Sequence, residues 1–302
     1  MADAPLSLRD QMVDYVRDLQ SRICETFERL DGTASFGSDV WHRPGGGGGI
    51  TRVMSDGSVF EKAGVNTSVV YGELPAKIAE RMGVHDAAFF AAGISIVCHP
   101  HSPRIPTVHA NYRYFEQSNG DAWFGGGADL TPYIADESDA IHFHTTLRNA
   151  CAPFGPDVYN RFKKQCDEYF YIRHRSECRG VGGVFYDYLR GSADEMQRWL
   201  EFQKAMGDAF LPSYMPVAER HRDEPHTDRE KKFQLLRRGR YVEFNLVYDR
   251  GTTFGLETNG RVESILMSLP PVVNFDYDPP IDTTDSERTL MGWLREPREW
   301  IA

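Results

Sequence analysis

Residues 93–132 decide the fold, and they read GISIVCHPHSPRIPTVHANYRYFEQSNGDAWFGGGADLTP. Two apolar, β-branched runs at 92–98 and 107–115 and an aromatic run at 122–124 are separated by proline-rich and Asn-Gly turn signals. Runs of this kind, bounded by turn residues, predict three strands. The Asn119-Gly120 pair predicts that the last two strands form a hairpin.

The middle strand places its side chains alternately on two faces. One face carries Thr107, His109, Asn111, Arg113 and Phe115, and the other carries Val108, Ala110, Tyr112 and Tyr114. The second set is apolar enough to pack on a core. The first set presents an imidazole, an amide and a guanidinium in one line, about 7 Å apart by the rise of a strand.

The polar face of this strand predicts a functional site, with an ordinary solvated face as the alternative. A solvated face usually carries Lys, Glu and Thr. A row of His, Asn and Arg is less expected on such a face and favours a functional site. Gly125-Gly126-Gly127 allows the backbone to approach a ligand closely, and Asp129 follows within reach of the same surface.

The composition is that of a globular protein and argues against one class of partner. The chain has 302 residues, 41% of them hydrophobic and 26% charged, with a formal net charge of −10. Non-specific nucleic-acid binding needs a basic face, so we expect no nucleic-acid partner. Arginine is concentrated in two groups, which predicts either a bound small polyanion or a set of surface ion pairs. The groups are Arg173, Arg175 and Arg179, and Arg237, Arg238, Arg240, Arg250 and Arg261.

Cysteine usage and the N-terminal residues predict a cytoplasmic protein. The five cysteines contain no Cys-x-x-Cys pair, which is typical of reduced thiols and gives no zinc or disulfide framework. No apolar run approaches the ~18 residues of a membrane span. The early acidic residues Asp3, Asp10 and Asp14 are unlike those of a signal or transit peptide.

Helical and strand patterns are interleaved without regular β-α-β units, which favours an α+β fold with a largely antiparallel sheet. No repeat or linker interrupts the chain, so we expect a single domain over residues 1–302, with residues 1–7 flexible. The predicted helices lie at 7–32, 75–82, 137–152, 157–173, 192–221 (with breaks at Pro212 and Pro216), 228–238 and 262–268, and residues 286–295 close the chain. Further strands are predicted at 59–71, 180–189 and 240–248, a hairpin at Asp56-Gly57, and a flexible loop at 45–49 that is either a cover over a ligand or a plain linker.

Several long segments carry a resemblance to a known family. They are HPHSPRIPTVHANYRYFE, WFGGGADLTP, FEKAGVN, RGVGGVFYD, RGRYVEFNLVYDRGTTFGL and ESILMSLPP. From about Leu8 to Trp300 the chain resembles the oxygen-dependent coproporphyrinogen III oxidases of haem biosynthesis. The resemblance implies a flat antiparallel sheet flanked on both faces by α-helices, in a homodimer whose contact region spans about residues 240–276. A strand at 240–248 would also leave an exposed sheet edge in a monomer.

The resemblance implies a substrate and a reaction. Two propionates of coproporphyrinogen III would be oxidatively decarboxylated to vinyl groups, with O2 as the oxidant and CO2 and hydrogen peroxide released. By similarity, His109 is the proton donor, and the substrate-binding residues are Ser95, Asn111, Tyr112, Arg113, Asn259, Gly260 and Arg261. Asp129 is expected to face the four pyrrole N–H groups, which would keep the carboxylate ionised and let it orient or deprotonate the ring.

Two other readings remain open at the level of sequence. His99, His109, His144 and His174 match histidines proposed as divalent-metal ligands in bacterial relatives, which would make the protein a metal-dependent oxygenase acting on a tetrapyrrole. A non-catalytic tetrapyrrole carrier is the second alternative. The chain lacks the Cys-x3-Cys-x2-Cys cluster of radical enzymes and a dinucleotide fingerprint, so we expect no required cofactor besides O2.

Overall fold

The computed structural model describes residues 6–74, 79–80 and 88–301. Its centre is a seven-stranded sheet in which every neighbouring pair is antiparallel. The strands are β1 (Gly37–His42), β2 (Gly47–Ser55), β3 (Phe60–Glu73), β4 (Ala88–Pro100), β5 (Thr107–Gln117), β6 (Ala122–Thr131) and β9 (Gly182–Leu189), side by side in that order. Two short strands, β7 (Tyr171–Ile172) and β8 (Glu177–Cys178), pair separately.

Eight α-helices are described around these strands. They are α1 (Leu8–Asp31), α2 (Glu137–Cys151), α3 (Val158–Tyr169), α4 (Ala193–His221), α5 (Asp228–Val247), α6 (Arg250–Glu257), α7 (Val262–Leu266) and α8 (Asp285–Arg295). Short 3-10 turns lie at Ala152–Phe154 and Arg173–Arg175. No helix among the described residues is both long and apolar enough to cross a bilayer.

One face of the sheet packs on α1 and α4. The Gln20 amide of α1 donates to the carbonyls of Ile50 and Val65, 2.8 Å away in each case. On α4, the carbonyl of Met206 accepts a 3.0 Å hydrogen bond from the Tyr112 hydroxyl. The alternation in β5 explains this contact, because Val108, Ala110, Tyr112 and Tyr114 are all buried in the core on this side.

The other face of the sheet is partly covered by the chain after α4. Tyr241 of α5 packs edge-on against His99, with 5.2 Å between ring centroids. Met267 follows α7 and lies over Gly64, where a Cβ would stand 2.8 Å from the methionine sulfur. Helices therefore lie on both faces of one antiparallel sheet, and the predicted α+β class is confirmed.

The predicted strand at 240–248 is wrong, because these residues belong to helix α5. Polar and apolar residues alternate over 240–248 as in a strand, and the predicted helix ends at residue 238, just before Gly239. Gly239 instead lies inside the helix, where a Cβ would stand 2.7 Å from the carbonyl of Asn274. The buried residues Phe233, Leu236, Tyr241 and Phe244 follow a helical spacing, and their burial decides the structure.

Two other local predictions differ from the structure, and a third lies mostly outside the described residues. Helix α4 runs unbroken through Pro212 and Pro216. Buried side chains before and after each proline pack into the core and stabilise the helix there. The 45–49 loop is part of the β1–β2 hairpin, in which Gly46 N–H donates to the carbonyl of Arg43 and β2 begins at Gly47. The predicted helix at 75–82 lies mostly outside the described residues, as does most of the segment 1–7.

The hairpin predictions are confirmed. Gly120 adopts a left-handed φ of 87° in the β5–β6 connection, and its N–H donates to the carbonyl of Gln117. Asp56 and Gly57 form the β2–β3 turn. All three strands predicted between residues 92 and 124 exist, and each is longer than predicted.

Candidate active site

His109 lies at the centre of the polar face of β5. Directly across the β5–β6 pair lies Asp129, whose Oδ1 accepts a 2.8 Å hydrogen bond from His109 Nδ1. The imidazole is 24% exposed, whereas the carboxylate is 1% exposed. Among the described residues, none forms a hydrogen bond with His109 Nε2. This nitrogen is therefore available to a ligand.

The Asp129 carboxylate is also paired with Arg179, which comes from the segment just before β9. Arg179 Nη2 lies 2.8 Å from Oδ1 and 2.9 Å from Oδ2 of Asp129, and its Nε lies 3.3 Å from Oδ2. Arg179 Nη1 donates to Asn245 Oδ1 of α5 at 2.7 Å. The result is a buried chain of contacts that runs from α5 through Arg179 and Asp129 to the exposed edge of His109.

Aromatic rings enclose the Arg179 guanidinium. Its central carbon lies 4.1 Å from the Phe170 ring centroid, 4.5 Å from that of Tyr241 and 4.9 Å from that of Phe244. Cations over aromatic faces are attracted by the ring quadrupole, more strongly where water is excluded. This cage lets a guanidinium stay charged inside the protein, opposite one carboxylate.

Asp129 stays ionised for this reason. Burial alone would raise its pKa, but Arg179 and the hydrogen bond from His109 hold the pKa below its usual range. All the contacts of the carboxylate go to these two residues, and it is buried beneath the imidazole. These contacts place Asp129 where it can orient the His109 imidazole, while its expected contact with pyrrole N–H groups stays a prediction.

A second group of polar side chains continues along the same face of the sheet. Asn111 Nδ2 donates to Ser95 Oγ at 2.8 Å, and Asn111 Oδ1 accepts from Arg113 Nη1 at 2.9 Å. Arg113 Nη2 lies 2.9 Å from Asp187 Oδ2 of β9. Ser95, Asn111 and Arg113 are thus brought together beside His109, as predicted.

The Tyr112 side chain is not part of this group. Its ring is fully buried on the opposite face, and its hydroxyl donates to the carbonyl of Met206. The structure leaves only the main chain of Tyr112 near the polar face, so a side-chain role in substrate binding does not fit. The alternation of β5 separates it from Asn111 and Arg113.

Asn259, Gly260 and Arg261 lie at the far side of the same sheet. Arg261 pairs with Asp39 of β1 through two contacts, one of them 3.3 Å from Nη1 to Oδ1. β1 and β5 are four strand spacings apart, or about 19 Å. A cavity of about 270 Å³ is lined here by Asn259, Arg261, Arg43 and Pro44, among others. The predicted binding residues therefore form two groups that are separated along the sheet, and the β1–β2 hairpin lines the cavity at the second group.

The arginine groups are mostly engaged in ion pairs within the protein. Their partners are Glu243 for Arg175 and Arg240, Asp129 for Arg179, Glu177 for Arg237, Glu61 for Arg238 and Asp39 for Arg261. Arg250 is exposed, and its guanidinium lies over the Tyr169 ring at 4.9 Å. Ion pairs therefore account for most of the arginines, although Arg179, Arg237 and Arg238 are buried and do not lie at the surface as that alternative supposed.

Three of the four candidate metal-ligating histidines have both ring nitrogens engaged. His99 contacts Thr107 Oγ1 and the carbonyl of Ser268, and His144 contacts the Tyr159 hydroxyl and the carbonyl of Val181. His174 contacts the Tyr248 hydroxyl and Glu243. These residues do not fit a shared metal site with His109, because a metal-ligating nitrogen must present a free lone pair.

One group of three potential ligands is found among the described residues, at the start of α2 and the end of α4. It consists of Asp136, Asp139 and His221. His221 Nε2 lies 2.8 Å from Asp139 Oδ2, and Arg220 Nη1 lies 2.7 Å from Asp139 Oδ1. This group includes none of the predicted metal ligands and is separate from the site around His109.

His144 gives a testable dependence of stability on pH. Burial lowers the pKa of His144 to about 3 in the folded protein, against about 6.5 in an unfolded chain. As the pH falls from about 6.5 towards 3, the unfolded chain gains a proton that the folded chain does not. The free energy of unfolding should therefore fall, by up to about 1.4 kcal/mol per pH unit from this residue.

We expect His144→Gln to remove the contribution of this residue to the slope of the free energy of unfolding against pH. Denaturant titrations of both proteins at about pH 6 and about pH 5 measure it, and the difference between the slopes cancels the contributions of other groups. One such group is Asp139, whose pKa is raised to about 6 by burial and which acts in the opposite direction. Equal slopes in the two proteins would show that His144 is protonated in the folded state.

Several residues of the site were not predicted in their actual roles. Arg179 was grouped with Arg173 and Arg175, although it pairs with Asp129. Asn245 was placed on a strand, and Asp187 was not singled out. The one available signal for Arg179 was its position directly before Gly180-Val181-Gly182-Gly183, where glycines let two chain segments approach closely.

Comparisons with known proteins identify the family of the chain. The family model described as Coproporphyrinogen III oxidase matches residues 11–300. The chain is 49% identical over 315 aligned positions to a soybean (Glycine max) protein named "Oxygen-dependent coproporphyrinogen-III oxidase, chloroplastic". This match covers 99% of the chain and 81% of the soybean protein. The chain belongs to the coproporphyrinogen III oxidase family.

Proposed function

We propose that the protein oxidises coproporphyrinogen III to protoporphyrinogen IX with O2 in haem biosynthesis. Family membership supports the substrate and the reaction. The observation that carries the chemistry is the His109 imidazole, held at Nδ1 by a buried, ionised carboxylate and open at Nε2. A histidine in this arrangement can give or take a proton at one defined atom.

The proposed reaction needs a proton in each of its two rounds. A propionate R–CH2–CH2–COO⁻ that becomes R–CH=CH2 and CO2 gives up the equivalent of a hydride, that is, one proton and two electrons. O2 takes these up and becomes H2O2 when one further proton is supplied. His109 Nε2 is the proposed source of that proton, and Asp129 and Arg179 keep the ring in place while it is transferred.

Substrate binding is proposed to use both polar groups of the sheet face. Arg113, with Asn111 and Ser95 beside it, would hold a propionate next to His109, since a guanidinium fork matches a carboxylate. Arg261 and Asn259 would hold a carboxylate on the far side of the ring. A macrocycle with carboxylates around its rim suits two sets of anchors that are separated along one face of the sheet.

Incubation with coproporphyrinogen III in air and under nitrogen tests this function. We expect protoporphyrinogen IX to form in air only, as resolved by chromatography of the oxidised products. A carrier would bind the substrate and leave it unchanged in both atmospheres. Product formation under nitrogen would exclude O2 as the oxidant.

We further propose that O2 chemistry here needs no added cofactor or metal. The engaged nitrogens of His99, His144 and His174 support this proposal. Enzyme treated with a chelator and then desalted should keep its turnover within about twofold, with metal content measured on the same sample. Loss of turnover that one particular metal restores would favour the metal-dependent oxygenase instead.

The protein is proposed to act as a homodimer. The exposed sheet edge at 240–248 no longer supports this, because that segment is helical. Exposed apolar residues support it instead, since seven of the large ones cluster between residues 246 and 277. They are Leu246, Val247, Leu256, Val262, Val272, Phe275 and Tyr277. We propose that these residues contribute to one contact surface, since large exposed apolar patches on a folded protein mark interaction sites.

We expect Val247→Glu to shift the protein from dimer to monomer. A glutamate at the 62%-exposed Val247 position would be buried without a partner in a dimer contact, at a cost of several kcal/mol. Sedimentation velocity at micromolar concentration measures the shift. Ile141→Glu, at an exposed position on α2, is the matched control and should remain dimeric. A monomeric wild-type protein with full activity would refute the dimer.

A cytoplasmic location is also proposed. All five cysteines are buried and unpaired, which suits a reducing compartment. The soybean relative is named as chloroplastic. Fractionation of cells that express the full chain tests the proposal, and recovery of the protein in an organelle fraction would contradict it.

A further inference from the structure

We propose that Asp187 is a positioning residue for Arg113, which it holds in the orientation that receives a substrate carboxylate. This inference rests on the proposed function, because it assigns Arg113 to a propionate of the substrate. Asp187 lies on β9, two strands away from Arg113 on β5. The strand between them, β6, carries a glycine at the point where the two side chains meet.

The Arg113 guanidinium is held at both of its terminal nitrogens. Nη1 donates to Asn111 Oδ1 at 2.9 Å, and Nη2 lies 2.9 Å from Asp187 Oδ2. Two contacts at opposite ends fix the plane of the group, since guanidinium donors form a rigid fork. Arg113 remains 35% exposed, so it stays accessible to a ligand while its orientation is set.

The backbone around Asp187 is shaped for this contact. At Gly125 a Cβ would lie 2.6 Å from Asp187 Oδ1 and 2.9 Å from Arg113 Nε, so only glycine leaves room for the pair. The β6–β9 register is irregular between Phe124 and Gly126. Irregularities of this kind re-aim side chains and are frequent next to active sites.

Tyr188 provides a further constraint. It adopts a left-handed φ of 55°, which is uncommon for an aromatic residue. Its N–H donates to Asp187 Oδ1 at 3.0 Å. One oxygen of Asp187 is therefore held by the backbone while the other faces Arg113, and the carboxylate has little freedom to turn away.

The charges of Asp187 and Arg113 are consistent with a role of Asp187 in orienting the Arg113 guanidinium. Asp187 is 18% exposed in its side chain, and the pair with Arg113 is only partly open to water. A guanidinium whose charge is already balanced binds a second carboxylate through the direction of its N–H groups more than through net charge. The orientation that Asp187 imposes should therefore matter to substrate affinity. A competing role is that Asp187 occupies the propionate position itself, in which case its removal would tighten binding.

Steady-state kinetics of Asp187 variants separate these roles. We expect Asp187→Ala to raise KM for coproporphyrinogen III about tenfold or more while kcat changes by less than about threefold. Asp187→Asn keeps an oxygen acceptor at the same place and should recover most of the lost affinity. Asp121→Ala removes the carboxylate partner of Arg190, 2.8 Å away at the surface, and is the control expected to match wild type.

The decisive comparison adds Asp187→Ala to an Arg113→Ala background. If Asp187 acts through Arg113, the second change should raise KM no further. A fall in KM for Asp187→Ala, or an equal rise in both backgrounds, would overturn the proposal. A lower melting temperature with unchanged KM would do the same, since it would show a purely structural role.

A spectroscopic measurement keeps the inference separate from the proposed function. In ¹⁵N-labelled protein, the Arg113 Nε–H signal, assigned by its loss in Arg113→Lys, should shift and broaden in Asp187→Ala and stay near its wild-type position in Asp121→Ala. An unshifted signal would overturn the positioning role even if the enzyme turns over normally. If the wild type shows no turnover, the proposed function fails, and this signal still decides whether Asp187 orients Arg113.

Discussion

Asp129→Asn is expected to lower the free energy of unfolding by about 3–5 kcal/mol, the usual cost of removing one partner of a buried ion pair. The variant leaves the Arg179 guanidinium, which is 3% exposed, without an opposing charge. Its aromatic cage and Asn245 remain, but neither carries a negative charge. Denaturant unfolding of the wild type and the variant at neutral pH measures the difference.

The folded fraction of Asp129→Asn should also lose at least about 100-fold in kcat/KM, because the general acid-base residue it orients is no longer held. Adding Arg179→Met separates the two effects. Methionine keeps contact with Phe170 and Phe244 without a charge, so the double variant should regain stability and stay inactive. If Asp129→Asn keeps near-normal turnover, Asp129 has only a structural role, and the site assignment is wrong.

His109→Ala is expected to lower kcat by about 10²–10⁴-fold, the usual contribution of a positioned proton donor. KM should change little, because Ser95, Asn111 and Arg113 remain hydrogen-bonded to one another without the imidazole. The protein should still fold, since His109 is partly exposed and its loss leaves Asp129 paired with Arg179. Steady-state kinetics with coproporphyrinogen III in air measure the effect.

Two controls accompany His109→Ala. His142→Ala removes another histidine, one whose Nε2 contacts the carbonyl of Pro212 away from the site, and it should match wild type. Added imidazole should restore part of the activity of His109→Ala, because the truncated side chain leaves space beside Asp129. Full turnover in His109→Ala without imidazole would remove His109 from the mechanism.

The sequence predicts the part of the site that lies on one strand. The alternation in β5 places His109, Asn111 and Arg113 on one face and Tyr112 in the core. The Asn119-Gly120 turn brings β6 back alongside, so Asp129 comes to lie opposite His109. Local patterns suffice here because strand period and turn type fix which residues become neighbours.

The sequence does not predict the contacts made by distant segments. Arg179 reaches Asp129 across 50 positions of chain, and Asp187 reaches Arg113 across the intervening strand β6. No local pattern records these pairs. The sequence does not show that Arg179 pairs with Asp129, because that arginine comes from another part of the fold. The second half of helix α5 was wrongly predicted as a strand, because its residues alternate as in a strand and also pack at helical spacing.

The most direct test of the proposed reaction is its stoichiometry. O2 consumed, CO2 released and H2O2 formed should be measured together with protoporphyrinogen IX in one closed reaction that starts from coproporphyrinogen III. The proposed chemistry predicts two molecules of each for every molecule of protoporphyrinogen IX, since two propionates react and each needs one O2. Protoporphyrinogen IX formed without matching O2 consumption and H2O2 release would contradict it.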